Sequence, residues 1–362
     1  MKKNLFILAV AGLALASCSS DETIATSQAS NEISFRALTN GMTRAADITA
    51  ANDLKSFNVY AFHTSTTTAP YFSNVPFVGP TTYNSEQKYY WPDYNLDFYA
   101  WSANSVSNEN RNTDVTATDY KSYTVAVQND ADNQADFIYA SKQNVAKTTS
   151  VTALDFAHKE SRVTLSVKNT SANLRFDIVG WRIGYAAPSG STTNGGTAWT
   201  PASAAATNVF TANESKTVNA NTTSASAFTK AQIMIPQSMS PVTAYASSDN
   251  EALVNNAYIA VKYKAQNTVT DDWVVGSGST DSEIWGIWPI AAITWEPGKQ
   301  YNYTLDIAEG GYHEQNQNGT DSALDPIFES FINFSAVTIT DWTIYDSDLG
   351  TEGIQPIDVT MP

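Results

Sequence analysis

The sequence predicts an all-β protein built from β-sandwiches, and three observations carry that prediction. Short runs rich in aromatic and β-branched residues recur along the chain, for example at residues 96–101 and 162–168. Segments rich in Pro, Asn, Asp, Gly and Ser separate these runs, a pattern typical of strands joined by turns. The sequence also lacks any amphipathic helical pattern of useful length. We therefore expect packed sheets with few or no helices.

The 362 residues are enough for two domains, since a domain usually takes roughly 100–200 residues. A polar stretch at residues 142–150 separates two series of strands, which predicts an N-terminal sandwich over 45–149 and a C-terminal sandwich over 150–344. The first series comprises residues 31–38, 54–63, 87–91, 96–101, 120–127 and 136–140. The second comprises residues 151–156, 162–168, 174–183, 228–235, 257–263, 283–288, 301–307 and 331–342. We expect surface loops and a hairpin in the Ser/Thr/Ala/Asn/Gly tract at 186–227.

The composition limits the kinds of partner. Charged residues make up 15% of the chain, and the formal net charge is −16. An acidic surface repels phosphate backbones and anionic lipid headgroups, so nucleic-acid binding is not expected. Contact with a membrane must come from another feature.

The N-terminus supplies that feature. Lys2 and Lys3 precede a short apolar run that ends just before Cys18, so residues 1–17 are predicted to be a signal peptide. The sequence Leu15-Ala-Ser-Cys18 resembles the lipobox of bacterial lipoproteins, which implies that Cys18 is lipidated. Residues 18–30 are predicted to be a flexible tether. The sequence Ser19-Ser-Asp-Glu22 within it resembles an acidic signal that sends Bacteroidales lipoproteins to the cell surface. A single cysteine excludes a disulfide within the chain.

The first predicted strand is followed by a segment open to cleavage. Alternation places Ile33, Phe35 and Ala37 on one face of the strand at 31–38. Small and turn-forming residues follow, and Arg44 lies among them in what is expected to be an open loop. Arg36 is the alternative cleavage residue, but it lies inside the strand, where its peptide bond is paired. We therefore predict cleavage between Arg44 and Ala45, which makes residues 18–44 a removable segment.

The C-terminal end carries a second strand-like pattern. Residues 345–362 begin with a polar linker and end with Ile357, Val359 and Met361 alternating with polar residues. The alternative interpretation is a frayed terminus. Together with the first strand, however, this pattern gives the chain a detachable-looking strand at each end.

The sequence offers no recognisable catalytic, cofactor or metal motif, so the protein is predicted not to be an enzyme and to need no cofactor. Its three histidines, His63, His158 and His313, are too scattered for a metal site or a catalytic triad. The acidic run at 129–136 lacks the oxygen ligand and the glycine that a calcium loop requires, which favours a solvated turn. Aromatic clusters at 89–91, 98–101 and 285–288 are predicted to pack in the core. If they are exposed instead, a glycan-binding surface lipoprotein is the alternative function.

The chain as a whole resembles the Bacteroidales fimbrillins of type V pili, the FimA- or Mfa-like proteins. Besides the lipobox, eight short motifs carry this resemblance through their order and spacing. They are Thr43-Arg-Ala45, Phe57-Asn-Val-Tyr-Ala-Phe62, Tyr90-Trp-Pro92 followed by Phe98-Tyr-Ala-Trp101, Asp136-Phe-Ile-Tyr139, Leu154-Asp-Phe-Ala-His158, Trp295-Glu-Pro-Gly-Lys-Gln-Tyr-Asn-Tyr-Thr304 and Val337-Thr-Ile-Thr-Asp-Trp342. The tract at 186–227 has no clear counterpart in the family.

The resemblance implies two tandem transthyretin-like β-sandwich domains with a C-terminal strand-like extension. It further implies a lipoprotein precursor in the outer membrane, an arginine-specific protease that cuts at Arg44, and assembly with other copies or related subunits on the cell surface. The departing strand would carry Ile33, Phe35 and Ala37. The arriving donor strand of the next subunit would carry Ile357, Val359 and Met361. A cuttable Arg44 argues against an anchor subunit and a strand-like tail argues against a tip subunit, so a stalk subunit is expected, with tip and anchor as alternatives.

Overall fold

The protein is described by a computed structural model over residues 31–39, 54–79, 81–104, 115–205, 207–239, 257–279, 281–309, 311–313, 336–342 and 357–359. Within these ranges the chain forms strands and two short 3₁₀ turns, Ala131–Asn133 and Ile307–Glu309, and no α-helix. The prediction of an all-β sandwich protein is confirmed.

The strands fall into two series along the chain. The first series is β1 (Phe35–Thr39), β2 (Ser56–His63), β3 (Thr66–Val78), β4 (Leu96–Asn104), β5 (Val115–Ala117), β6 (Tyr123–Ala126), β7 (Asp136–Val145) and β8 (Thr152–His158). The second series begins with β9 (Ser161–Asn169), β10 (Leu174–Gly184), β11 (Ser189–Thr193), β12 (Ala198–Pro201), β13 (Val209–Val218), β14 (Thr222–Ala227), β15 (Gln232–Met234) and β16 (Gln237–Ser238). It continues with β17 (Tyr258–Asn267), β18 (Trp273–Val275), β19 (Ile284–Pro289), β20 (Thr294–Trp295), β21 (Lys299–Asp306), β22 (Tyr312–His313), β23 (Ala336–Asp341) and β24 (Ile357–Val359).

The first sheet has the order β1-β8-β7-β4-β2-β3. Strand β2 lies between β4 and β3, as its two apolar faces predict. Phe57, Val59 and Ala61 enter one buried cluster, whereas Tyr60 and Phe62 enter another on the opposite face. The sheet is therefore covered on both sides.

Strand β3 is the longest strand that the sequence did not predict. It contains Pro70 and Pro76, which have no backbone N–H to donate to a neighbouring strand. The structure places β3 at the edge of the sheet, hydrogen-bonded only to β2 within that sheet, where proline is tolerated.

The second series forms a sandwich around one large core. One sheet has the order β13-β10-β17-β19-β22, and the other runs β14-β9-β21-β23-β24. Strands β9 and β21 are parallel neighbours, and the other pairs in these two sheets are antiparallel. Burial of large aromatic side chains dominates the core. The fully buried ones include Trp181, Trp288, Trp295, Tyr263, Tyr301 and Tyr303.

The tract at 186–227 joins the two series. It contains the hairpin β11–β12, as expected, and β11 pairs with β6 to make a four-stranded sheet of order β12-β11-β6-β5. The buried Gln134 side chain reinforces this junction, because it donates to the Gln232 side chain (3.1 Å) and accepts from the Ile233 N–H (2.6 Å).

The division into two domains remains a prediction. Strand β8, which the sequence assigns to the second domain, pairs with β7 and β1 in the first sheet.

Candidate functional site

The segment 31–39, which comprises β1 and the four residues before it, is hydrogen-bonded on both of its edges. On one side it pairs in parallel with β8, from Phe35 opposite Thr152 to Thr39 opposite Phe156. On the other side it meets residues 83–91. There the Ile33 N–H donates to the Tyr89 carbonyl (2.8 Å), and Phe35 exchanges hydrogen bonds with Tyr83 (3.1 and 2.8 Å). The strand therefore occupies a slot between two walls.

The inward face of the segment 31–39 is part of the core. Ile33 and Phe35 are fully buried, and Ala37 is 8% exposed. The Phe35 ring lies edge-on to Phe77 and Phe98, with centroids 4.8 and 5.0 Å away, and it also packs on Phe57 at 6.2 Å. Without β1, the side chains of Phe57, Phe77 and Phe98 would border an empty groove.

The outward face of the same segment is polar. Glu32 pairs with Lys88 of the opposite wall (2.5 Å), while Arg36 is exposed and lines a shallow depression with Thr81, Thr82 and Ser150. An exposed ion pair contributes little to stability. The strand is therefore held by its inward side chains and its two rows of hydrogen bonds.

The wall at 83–91 is fixed by Tyr83. Its hydroxyl donates to the Leu54 carbonyl (2.6 Å), and burial raises the pKa of the phenol to about 12. Tyr83 is 1% exposed and packs on Phe57. The sequence predicts a regular strand at 87–91, but the segment forms only an isolated bridge there, between Tyr90 and Glu32. Sequence reasoning did not identify Tyr83, because its neighbours show no alternation.

The C-terminal strand β24 extends the edge of a different sheet. It pairs antiparallel with β23 through Val337 opposite Val359, Thr338 opposite Asp358 and Ile339 opposite Ile357. Three residue pairs along one edge make up the ladder. Met361, the third residue of the predicted donor face, lies outside the described residues, and so do Cys18, Arg44 and Ala45.

A buried contact between a histidine and an aspartate lies where β8 ends. The His158 ring contacts the Asp136 carboxylate (2.9 Å), and both side chains are almost fully buried. A face of the His158 ring stacks on Trp342, with centroids 3.9 Å apart and an angle of 5° between the planes. Trp342 directly follows β23, so this stack connects the strand that holds β1 to the strand that holds β24. The sequence alone does not indicate that His158 and Trp342 are in contact.

The aromatic clusters that could have indicated sugar binding lie mostly in the core. Trp91, Trp101 and Trp288 are at most 5% exposed, and Phe98 is fully buried. Tyr90 is 55% exposed, and Trp285 is half-buried beneath the Arg182 guanidinium (4.0 Å from the ring centroid). These clusters do not form one continuous exposed face.

The acidic run at 129–136 is a capped turn. Asp130 accepts a hydrogen bond from the Asp132 N–H (3.0 Å), and Asp132 pairs with Lys230 (2.6 Å). In the part of the chain that the structure describes, no three His, Cys, Asp or Glu side chains are grouped as metal ligands. The same part contains no helix that is both long and apolar enough to cross a membrane.

Comparison with solved structures finds similar chains in Bacteroidales. A proposed cell adhesion protein from Bacteroides uniformis shares 16% identity, with 86% of this chain and 100% of that chain covered and a TM-score of 0.43. Another from Bacteroides ovatus shares 15% identity, with 87% and 99% covered and a TM-score of 0.46. The fimbrial anchor protein Mfa2 from Porphyromonas gingivalis shares 11% identity, with 87% and 98% covered and a TM-score of 0.30.

No protein with curated annotation matches the sequence. A family model described as fimbrillin-like matches residues 43–342, which is most of the chain. The protein therefore belongs to the fimbrillin-like family.

Proposed function

We propose that the protein is a stalk subunit of a cell-surface fimbria that polymerises by strand exchange. Lipidation at Cys18 holds the precursor in the outer membrane, and an arginine-specific protease cuts the chain between Arg44 and Ala45. Strand β1 then leaves its slot. The C-terminal strand of another copy, or of a related subunit, replaces it.

Membership of the fimbrillin-like family supports the broader part of this proposal. It indicates a structural protein of cell-surface fimbriae that assembles with other fimbrial subunits, rather than a catalyst. The stalk position follows from the two ends of the chain, because an anchor would keep its lipidated end and a tip would have no further subunit to receive its tail.

The slot around β1 is the observation that carries the finer proposal. When the segment 31–39 departs, it leaves unpaired main-chain groups on β8 and on residues 83–91, together with an uncovered apolar surface. An extended segment that adds to such a slot gains affinity from main-chain hydrogen bonds and specificity from alternate side chains. Each large apolar side chain buried there contributes roughly 1.5–3 kcal/mol and each main-chain hydrogen bond about 1 kcal/mol.

The tail supplies a matching pattern. Ile357, Val359 and Met361 would replace Ile33, Phe35 and Ala37 as the inward-facing residues. In the isolated chain, β24 holds to β23 through one short ladder. Transfer to a slot with two walls would exchange one row of hydrogen bonds for two.

The main test is to digest the purified precursor with an arginine-specific protease. We expect a mature N-terminus at Ala45 and ladders of polymers on denaturing gels run without boiling. The Arg44→Gln variant should remain uncut and monomeric, whereas the matched Arg36→Gln variant should behave like the wild type. Assembled material that begins at Cys18, or equal polymerisation of Arg44→Gln, would contradict the proposal.

A second test separates processing from joining. Deletion of residues 354–362 should leave a folded chain that is cut at Arg44 but forms no ladder. As a matched pair, Ile357→Ser combined with Val359→Ser should block assembly, while Asp358→Ser combined with Thr360→Ser should not, because the latter two residues lie on the other parity. Unchanged polymerisation of the truncated chain would refute the role of the tail.

A further inference from the structure

A cleft of about 350 Å³ lies between the β11–β12 hairpin and the two-stranded ribbon of β16 and β20. This volume falls at the lower end of the range typical of small-molecule sites. One wall comes from the tract at 186–227, and the other wall comes from the second sandwich. Among the residues that line the cleft are Thr197, Trp199, Pro201, Ser238, Thr294 and Glu296.

The Trp199 side chain is half-buried and fixed in position. Its indole N–H donates to the Gly196 carbonyl (2.9 Å), and its ring lies edge-on to Phe137 at 6.5 Å. The turn before it is tight, since Asn194, Gly195 and Gly196 all have positive φ (52°, 67° and 84°). A Cβ on Gly196 would lie 2.6 Å from the Lys159 side chain, so this turn requires glycine there. The cleft therefore contains an aromatic surface that is already ordered.

Polar groups line the opposite wall of the cleft. The Ser238 and Thr294 hydroxyls are exposed and lie 3.0 Å apart, so each can also bond to a ligand. Glu296 is exposed as well. Its main chain is held from both sides, because its N–H donates to the Tyr301 hydroxyl (2.7 Å) and its carbonyl accepts from the Ser161 hydroxyl (2.9 Å). The Glu296 carboxylate forms no salt bridge within the part of the chain that the structure describes.

A flat aromatic ring opposite hydroxyls and a carboxylate suits a neutral saccharide. The apolar face of a pyranose ring can pack on indole, while its hydroxyl groups donate to a carboxylate and exchange hydrogen bonds with Ser and Thr. Glu296 and the net charge of −16 disfavour anionic sugars such as sialic acid or uronic acids. We propose that this cleft, which we call the Trp199 cleft, is a binding site for a neutral pyranose, with Trp199 as the stacking surface and Glu296 as the hydrogen-bond acceptor.

This inference does not depend on strand exchange, because every residue of the Trp199 cleft belongs to one chain. A subunit that fails to polymerise would still bind the sugar. A polymer of subunits without the site would still form. The two proposals can therefore fail separately.

Saturation-transfer NMR on the purified full chain tests the site, with the methyl glycosides of glucose, galactose and mannose and with N-acetylglucosamine as probes. We expect at least one neutral sugar to give a saturation-transfer signal with the wild type. Trp199→Ala and Glu296→Gln should each lower the affinity for that sugar by about tenfold or more, which corresponds to about 1.4 kcal/mol of binding free energy. Trp273→Ala is the matched control, because Trp273 is also half-buried but lies on β18, away from the cleft. Its binding should equal that of the wild type.

Glu296→Gln keeps the test valid if Trp199→Ala fails to fold, because the exposed carboxylate supports no packing. Four outcomes would overturn the proposal. They are no signal from any neutral sugar, equal signals from wild type and Glu296→Gln, stronger binding of sialic acid than of neutral sugars, and binding of a proline-rich peptide without binding of sugars.

Discussion

The first and last described strands have the same alternating pattern but very different surroundings. Strand β1 and the four residues before it lie between two walls, with Ile33 and Phe35 fully buried. Strand β24 extends one edge of a sheet through three residue pairs. The comparison teaches that period-two alternation identifies a strand and its faces but does not reveal how firmly the strand is held. The number of bonded edges and the depth of the pocket decide that.

The largest expected difference concerns stability. Phe35→Ala should lower the free energy of unfolding by about 3–5 kcal/mol, because it leaves a cavity among Phe57, Phe77 and Phe98. Chemical denaturation followed by tryptophan fluorescence measures this change. The matched control is the exposed neighbour, Arg36→Ala, which should change stability by no more than about 0.5 kcal/mol. Equal effects of the two substitutions would mean that β1 does not belong to the core.

A smaller difference is expected in local opening. Amide hydrogens in β1 should exchange at least a hundredfold more slowly than those of Ile357–Val359, roughly 2.7 kcal/mol in opening free energy, because β1 opens only when its buried face leaves the core. Hydrogen-exchange mass spectrometry on peptides that cover 31–39 and 354–362 gives both rates in one experiment. Comparable rates would remove the contrast between the two ends.

The smallest expected effect is that of removing the tail. Deletion of residues 354–362 should change the free energy of unfolding by less than about 1 kcal/mol, since each hydrogen bond gains about 1 kcal/mol and ordering each residue costs a similar amount. The same denaturation assay applies, with a chain lacking only residues 360–362 as the control. A loss of several kcal/mol would show that β24 is an integral strand of its sheet.

The sequence predicts well those features that depend on local pattern. The alternation at 31–38 places Ile33, Phe35 and Ala37 on one face, and the two-sided apolar pattern of β2 predicts an interior strand. These predictions succeed because side-chain direction in a strand follows from the pleat alone.

The sequence does not reveal features that depend on distant partners. The slot of β1 is closed by β8 and by an irregular segment around Tyr83, and neither shows its pairing in the sequence. The stack of His158 on Trp342 joins residues far apart in the chain. Trp199 lies in a tract whose polar composition predicts loops, and only the fold brings it opposite Glu296.

The parallel pairing of β1 with β8 has a topological consequence. Parallel neighbours cannot be joined by a tight hairpin, so β1 has no covalent link to the strand beside it, whereas β2–β3 and β7–β8 are antiparallel pairs of consecutive strands. The chain connects β1 to the strands that follow it only through residues 40–53. One cut in that segment would turn the strand from part of the chain into a bound peptide. Its retention would then depend on a dissociation rate rather than on chain connectivity.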